Sequence, residues 1–272
     1  MTTVSLVYTE YRLWPTPHKA TRRRPHHNPS TTPYKKMTAN IPEIILLCQD
    51  ADFITAFNAA QQEHWPELPS KLTITPINSR LKSLDPSVTF DMVVSPANSY
   101  GRLDGAFDDA ISLAFSPRDD YEALTRAVQT VLYDKWRGFA PPGTCTLVRF
   151  PPPLEQNPRR CARVAICPTM REPTNVAWDR EVVYECVWSL LCQVERHNRV
   201  SEERINSFLM TPLAAGVGRV SKERWSAQMV LALKHFVDAV ERPERWSRMQ
   251  WGEIMTDCDE VSTTWSTKKQ ST

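Results

Sequence analysis

Short apolar runs alternate with amphipathic segments over most of this chain, and that alternation limits the fold more than any other feature. Glu43–Cys48 (EIILLC), Lys71–Ile77, Phe90–Ser95, Thr144–Phe150, Arg163–Cys167 and Ile205–Met210 read as strands. Between them come segments of helical period. Asp50 is placed to cap a helix that runs to about Glu63, with Phe53, Ile54 and Phe57 on its inner face. Ala106–Phe115 reads as a short helix. Tyr121, Leu124, Val128, Val131 and Leu132 mark a longer one. Val183, Val187, Leu190, Leu191 and Val194 mark another, and Ser221 opens the last, with Trp225, Met229, Leu233, Phe236 and Val240. Strands separated by helices predict an α/β fold, a three-layer α/β/α sandwich on a mixed, largely parallel sheet.

The domain is expected over residues 41–245. Residues 1–40 form a tail. Up to residue 36 it holds Arg12, Lys19, Arg22, Arg23, Arg24, Lys35 and Lys36 against the single acid Glu10. That composition suits disorder or a mitochondrial targeting segment, but Pro15, Pro17, Pro25, Pro29 and Pro33 oppose the amphipathic helix a presequence needs. Residues 246–272 read as a C-terminal extension whose tryptophans follow no clear period, with an end that frays. No stretch reaches the ~20 apolar residues of a membrane span. A net charge of +2 gives no strong nucleic-acid signal. The cysteines form no C-x-x-C pair and no Cys/His cluster with ligand spacing. They read as reduced thiols of an intracellular protein, cytoplasmic or nuclear, with no metal expected.

Ligands of α/β proteins gather outside the carboxyl ends of strands. Three loops fall there. The first is SPANSYGRLDGAFDDAI, residues 95–111. The second is PTMREPTNVAW, residues 168–178. The third is TPLAAGVGRVS, residues 211–221, a Gly-x-Gly turn entering a long helix. A helix N-terminus offers free N–H groups to an anion. Glycine is scarce at 7 in 272 residues, so each one in a loop carries weight.

Taken together, the loops resemble the macro domain, a module that binds ADP-ribose. Ser95-Pro96-Ala97-Asn98 stands where that family has Asn-Ala-Ala-Asn. Phe107-Asp108, followed by Ala110-Ile111, stands where it has Val-Asp and an Ala-Ile helix, at the same spacing. Ala215-Gly216-Val217-Gly218-Arg219 stands at its phosphate loop. The Ser-Pro-x-Asn-Ser-Tyr-Gly stretch is shared with a divergent fungal branch that includes a yeast protein described as an ADP-ribose-1''-phosphate phosphatase. Some family residues are replaced here. Ser95 takes the place of the first Asn, the glycine run shrinks to Asp104-Gly105-Ala106, and no acid stands near Ser79-Arg80-Leu81, where many members bind adenine.

The resemblance implies ADP-ribose or a derivative as ligand, with ADP-ribosylated protein as a partner and no cofactor. Asn98, Asp108 and Asp104 are the candidates for chemistry. Asn98 would face the distal ribose. Asp108 would orient or activate a water near the C1'' substituent, or merely complement the helix dipole. Asp104 would hold a water or repel a phosphate. Ser95, Ala97, Tyr100, Gly101, Gly105, Ala106, Phe107, Ala215, Gly216, Val217, Gly218 and Arg219 are the candidate ligand contacts, with Tyr100 and Trp178 as stacking rings. Two activities remain open: hydrolysis of ADP-ribose-1''-phosphate or of ADP-ribosyl adducts, and non-catalytic reading or a degenerate scaffold.

Overall fold

A computed structural model describes residues 41–265. The expectations for the basic tail and for the extreme C-terminus lie outside them. The strands are β1 (Glu43–Cys48), β2 (Ile74–Asn78), β3 (Met92–Ser95), β4 (Thr146–Arg149), β5 (Arg163–Ile166) and β6 (Ser207–Met210). The helices are α1 (Ala51–His64), α2 (Leu68–Lys71), α3 (Ala106–Phe115), α4 (Ala123–Trp136), α5 (Pro152–Glu155), α6 (Val182–Val200), α7 (Lys222–Glu241), α8 (Pro243–Trp246) and α9 (Trp251–Ser262).

The sheet runs β2-β1-β6-β3-β5-β4, parallel except for β4, which pairs antiparallel with β5. Side chains alternate across it with the period of two that a pleated strand imposes. Ile44, Leu46 and Cys48 of β1 enter one core with Met92, Val94, Phe208 and Met210. Ile45 and Leu47 enter the other with Val93, Val164 and Leu209. The first core is covered by α1, α6 and α7, the second by α3 and α4. A sheet buried on both faces is what makes these strands read as continuous apolar runs. The layering is α/β/α, as the alternation predicts.

Two boundaries differ from the sequence reading. Lys71 ends a short helix, and the edge strand β2 starts only at Ile74. Pro76 is tolerated there because β2 pairs on one side alone. Residues past 245 fold back on the domain. Trp246 packs tilted against Trp188 with ring centroids 5.3 Å apart and donates Nε1–H to Asp238 at 2.8 Å. Glu260 of α9 accepts from Lys234 at 2.7 Å and meets His235 Nε2 at 3.0 Å. His235 is thus a buried tie between α7 and α9, with Tyr184 on its other nitrogen at 3.0 Å. Cys48, Cys145, Cys161, Cys167 and Cys186 are buried, and burial pushes the Cys161 thiol up to about 12.

Candidate functional site: a cleft at the carboxyl ends of β1, β6 and β3

A cleft of 490 Å³ opens at the carboxyl ends of the parallel strands. That volume suits a nucleotide-sized ligand. The strand order puts the loop after β6 in the middle, the loop after β1 on one side and the loop after β3 on the other.

The β3 loop is built by Asn98. Its Oδ1 accepts from the N–H groups of Tyr100 at 3.0 Å and Arg102 at 3.3 Å, and its Nδ2 donates to the Arg102 carbonyl at 2.8 Å. One amide side chain thus closes the whole turn, as Asn does in turns elsewhere. Asn98 still lines the cleft. Gly101 sits at φ +66°, and a Cβ there would come within 2.7 Å of Leu132 and Val128. That glycine lets the loop lie flat on α4 and does not reach the cleft. Arg102 also lines the cleft and donates to Asp104 and Glu122, both at 3.0 Å.

Helix α3 begins at Gly105, which has no side chain to cap it. The first free N–H groups, of Ala106 and Phe107, therefore have no acceptor among the described residues. Asp108 follows in the first turn. It lines the cleft yet is 7% exposed, and it accepts a 2.7 Å hydrogen bond from Ser95 Oγ. Burial pushes its carboxyl up to about 7. The Ser95 donor opposes that shift, and the nearby Asp104 charge adds to it. The second oxygen, Oδ2, has no hydrogen-bond partner among the described residues and is not sealed from solvent.

The β6 loop is drawn tight by Val220 N–H to Ala214 O at 3.1 Å and Arg219 N–H to Gly216 O at 3.1 Å. Gly218 has room for nothing larger, since a Cβ would lie 2.5 Å from the Ala214 carbonyl. Ser221 then caps α7 by accepting from Arg224 N–H. The N–H groups of Ala215, Gly216, Val217 and Gly218 donate to no described group. Non-glycine residues with left-handed backbone are few, and Ala106, Ala214 and Arg219 all fall in these two loops. Such strain gathers at binding sites.

Of the residues expected from sequence, Asn98, Asp104, Gly105, Ala106, Phe107 and Asp108 line the cleft. So do Ala215, Gly216, Val217 and Gly218. Ser95 and Ala97 are buried beneath it. Tyr100, Gly101, Arg219 and Trp178 lie outside its lining. Arg219 is exposed with its backbone turned left-handed, and Trp178 is 76% exposed on the loop after β5. The cleft also takes in Gln49, for which the sequence offered no role, and Asp50 and Phe53, read there only as helix cap and inner face. Asp50 does cap α1, accepting from Asp52 N–H at 2.9 Å. The signal for its second location was available: it follows β1 directly, at a strand's carboxyl end. The β5 loop closes the rim with Thr169, Met170 and Pro173.

Neither a family model nor a curated protein sequence matches the chain. Solved structures do. Among them are macrodomains. An Oceanobacillus iheyensis macrodomain with ADP is 16% identical, overlaps 58% of this chain and 73% of that one, and gives a TM-score of 0.41. The same macrodomain with MES bound is 13% identical over 65% and 86%, at 0.41. An Oryza sativa APL macrodomain in complex with ADP-ribose is 13% identical over 76% and 99%, at 0.33.

Proposed function

We propose that the cleft binds ADP-ribose or a derivative of it. One observation carries this: six backbone N–H groups, those of Ala106, Phe107, Ala215, Gly216, Val217 and Gly218, lack acceptors among the described residues and belong to residues lining one cleft. Phe107 and Gly218 are buried and Ala215 is half-buried, while Ala106, Gly216 and Val217 are exposed at the mouth of the cleft, so the donors run from its floor to its rim. A diphosphate supplies the missing acceptors, and the α3 and α7 dipoles favour its charge. The order β1-β6-β3 then arranges the rest. Adenine falls at the β1 end, with Phe53 as an apolar wall and the Asp50 carboxylate as acceptor for an exocyclic amine. The distal ribose falls at the β3 end, by Asn98 and Asp108.

Asp108 gives the site a route to turnover. A carboxylate that ionises near 7, with one oxygen held by Ser95 and the other open to the cleft, is matched to general-base work. It would take a proton from a water as that water's oxygen attacks at or beside C1''. The leaving group departs with the electron pair of the broken bond. The sequence shared with the phosphatase branch supports ADP-ribose-1''-phosphate or an ADP-ribosyl adduct as substrate. Asp104 does not oppose an anion with its full charge, because Arg102 pairs with it.

Titration calorimetry with ADP-ribose tests the reading, with ADP as control. ADP-ribose is expected to bind, and more tightly than ADP. Absence of heat with both ligands would overturn it.

A further inference from the structure

We infer that the rim of the cleft beyond Met170 is a docking platform for single-stranded nucleic acid. Asn98 and Met170 form a bridge that joins the β3 and β5 loops. The next residues outward are Tyr100 and Arg171. Arg171 Nε donates to Tyr100 OH at 3.0 Å, and its guanidinium lies 5.1 Å from the Phe139 ring centroid. Tyr100 and Phe139 are 5.8 Å apart, centroid to centroid. One turn back on α4, Gln129 Nε2 donates to the Tyr100 carbonyl, and Tyr133 follows on the same face with Arg137 5.6 Å from its ring. Tyr100, Phe139 and Tyr133 are 39%, 36% and 63% exposed, so a row of rings faces solvent.

Some arginines among the described residues sit in ion pairs, and others, such as Arg137, Arg171 and Arg180, are set over a ring with no ion pair to a described residue. Arg102, Arg126, Arg149, Arg163 and Arg245 all sit in ion pairs. Arg137 and Arg171 are in none with a described residue; each is laid against a ring instead. A guanidinium with no carboxylate partner can offer its terminal N–H groups to an oxyanion, and phosphate fits them two at a time; for Arg171 these are the groups other than the Nε–H given to Tyr100. Rings for base faces alternate with guanidinium groups for phosphates, which is how single strands are held without sequence readout. The backbone is fixed in place, since Ala140 N–H bonds Ser99 O at 2.9 Å and Gly101 packs on α4. An acidic peptide would use the arginines and leave the rings idle. A basic one would be repelled. With a chain charge of only +2 the attraction is local, so salt sensitivity should be shallow, a log–log slope of about −1.4 for two phosphates.

Placing the platform beside the cleft makes the modified end of a nucleic acid the natural carrier of the ADP-ribosyl group. That last step rests on the ADP-ribose reading; the platform does not.

The test is fluorescence anisotropy of the full chain with a labelled single-stranded oligonucleotide, repeated on Arg137→Glu/Arg171→Glu and on Phe139→Ala. Binding is expected for wild type, with each variant weaker by roughly ten-fold or more. The unfolding midpoint and ADP-ribose calorimetry on the same samples should be unchanged. No binding by wild type, or equal binding by the charge-reversed variant, would overturn the platform. So would displacement of the strand by polyglutamate at equal charge concentration. A cleft silent to ADP-ribose in a protein that still binds the oligonucleotide would sink the ADP-ribose reading and leave the platform standing.

Discussion

The two ends of the sheet hold cavities of similar size and opposite character. The cleft at the carboxyl end measures 490 Å³ and the hollow at the amino end, between Leu147, Arg149, Arg163, His197 and Glu203, measures 540 Å³. Volume does not separate them; the state of their polar groups does. At the amino end, Arg149 and Arg163 stand directly opposite each other on β4 and β5, and Glu203 bridges them at 2.6 and 2.9 Å. Glu155 takes the remaining edge of Arg149 at 2.6 Å, and His197 meets the Glu203 carbonyl at 2.9 Å. Arg149, Arg163 and Glu203 all have internal partners, and only Glu202 at the rim has no side-chain partner among the described residues. At the carboxyl end, backbone donors lack acceptors and Asp108 is held half-satisfied. Groups that answer one another keep a fold together. Groups left open in a built cleft await something from outside.

The sharpest way to break that contrast is to fill the open end. A Cβ on Gly216 meets nothing within 4 Å, and its φ is not left-handed. Gly216→Val should therefore leave the unfolding midpoint almost unmoved and place a side chain where the diphosphate is proposed. Loss of affinity for ADP-ribose by roughly a hundred-fold is expected in calorimetry, about 3 kcal/mol. Gly218→Val differs in kind. Its Cβ must displace the Ala214 carbonyl, so stability and binding should fall together. Unaltered binding in Gly216→Val would remove the β6 loop from the site.

Asp108→Asn separates function from stability within the cleft. The folded-state carboxyl is raised from an ordinary value near 3.8 to about 7, so the native protein keeps a proton that the unfolded chain loses first. Its ionisation thus lowers stability progressively between about pH 4 and pH 7, by about 4 kcal/mol at most. Asn carries no such cost. The variant should unfold at a higher temperature than wild type, with a gap that widens from pH 4 to pH 7 and then levels, reaching on the order of 5 °C. ADP-ribose affinity should be kept, while any hydrolysis falls by roughly 10²–10⁴. Wild-type turnover should rise through pH 7 as the base ionises. A variant with full activity would remove Asp108 from the chemistry. A gap that does not depend on pH would show that the carboxyl is already ionised across the range.

How much of this could be read from sequence follows from what each element is built of. The strands were legible because both sheet faces are buried, and a run such as EIILLC has no other good reading. Helix α9 was not, because only Val261 on it is buried. Its contacts are ionic: Asp257 to Arg245 at 3.0 Å and Glu260 to Lys234 and His235. Such contacts leave no apolar period. The Gln250/Glu253 capping box was a local signal of its start. At the cleft, spacing brought Asn98, Asp108 and the Gly216 loop together on paper. Spacing could not tell that the Asn98 amide is engaged by its own loop, or that Gly101 answers to Leu132. Nor could it show that Ser95 lies under the cleft as the donor that holds Asp108. Those facts depend on where side chains point, which only packing decides.

The smallest expected effect comes from the closed end, and it is the control for the rest. Arg163 is 7% exposed, and Glu203 is its only carboxylate partner among the described residues. Glu203→Ala leaves a buried guanidinium without its counter-charge, which destabilises even where the intact pair contributes little. The unfolding midpoint should drop by a few degrees, modestly because Glu203 itself is exposed to solvent. Hydrogen bonds from Arg149 and Arg163 hold the Glu203 carboxyl below its ordinary value. A depressed carboxyl stabilises above the unfolded value near 4.5, and that stabilisation disappears as pH falls through the folded value. Wild type and Glu203→Ala should therefore converge on acidification, whereas Asp108→Asn departs from wild type as pH rises. ADP-ribose affinity should not change, since the two cavities lie at opposite ends of β5 and share no residue. If Glu203→Ala weakened the ligand as much as Gly216→Val, the distinction between a closed structural end and an open functional end would fail.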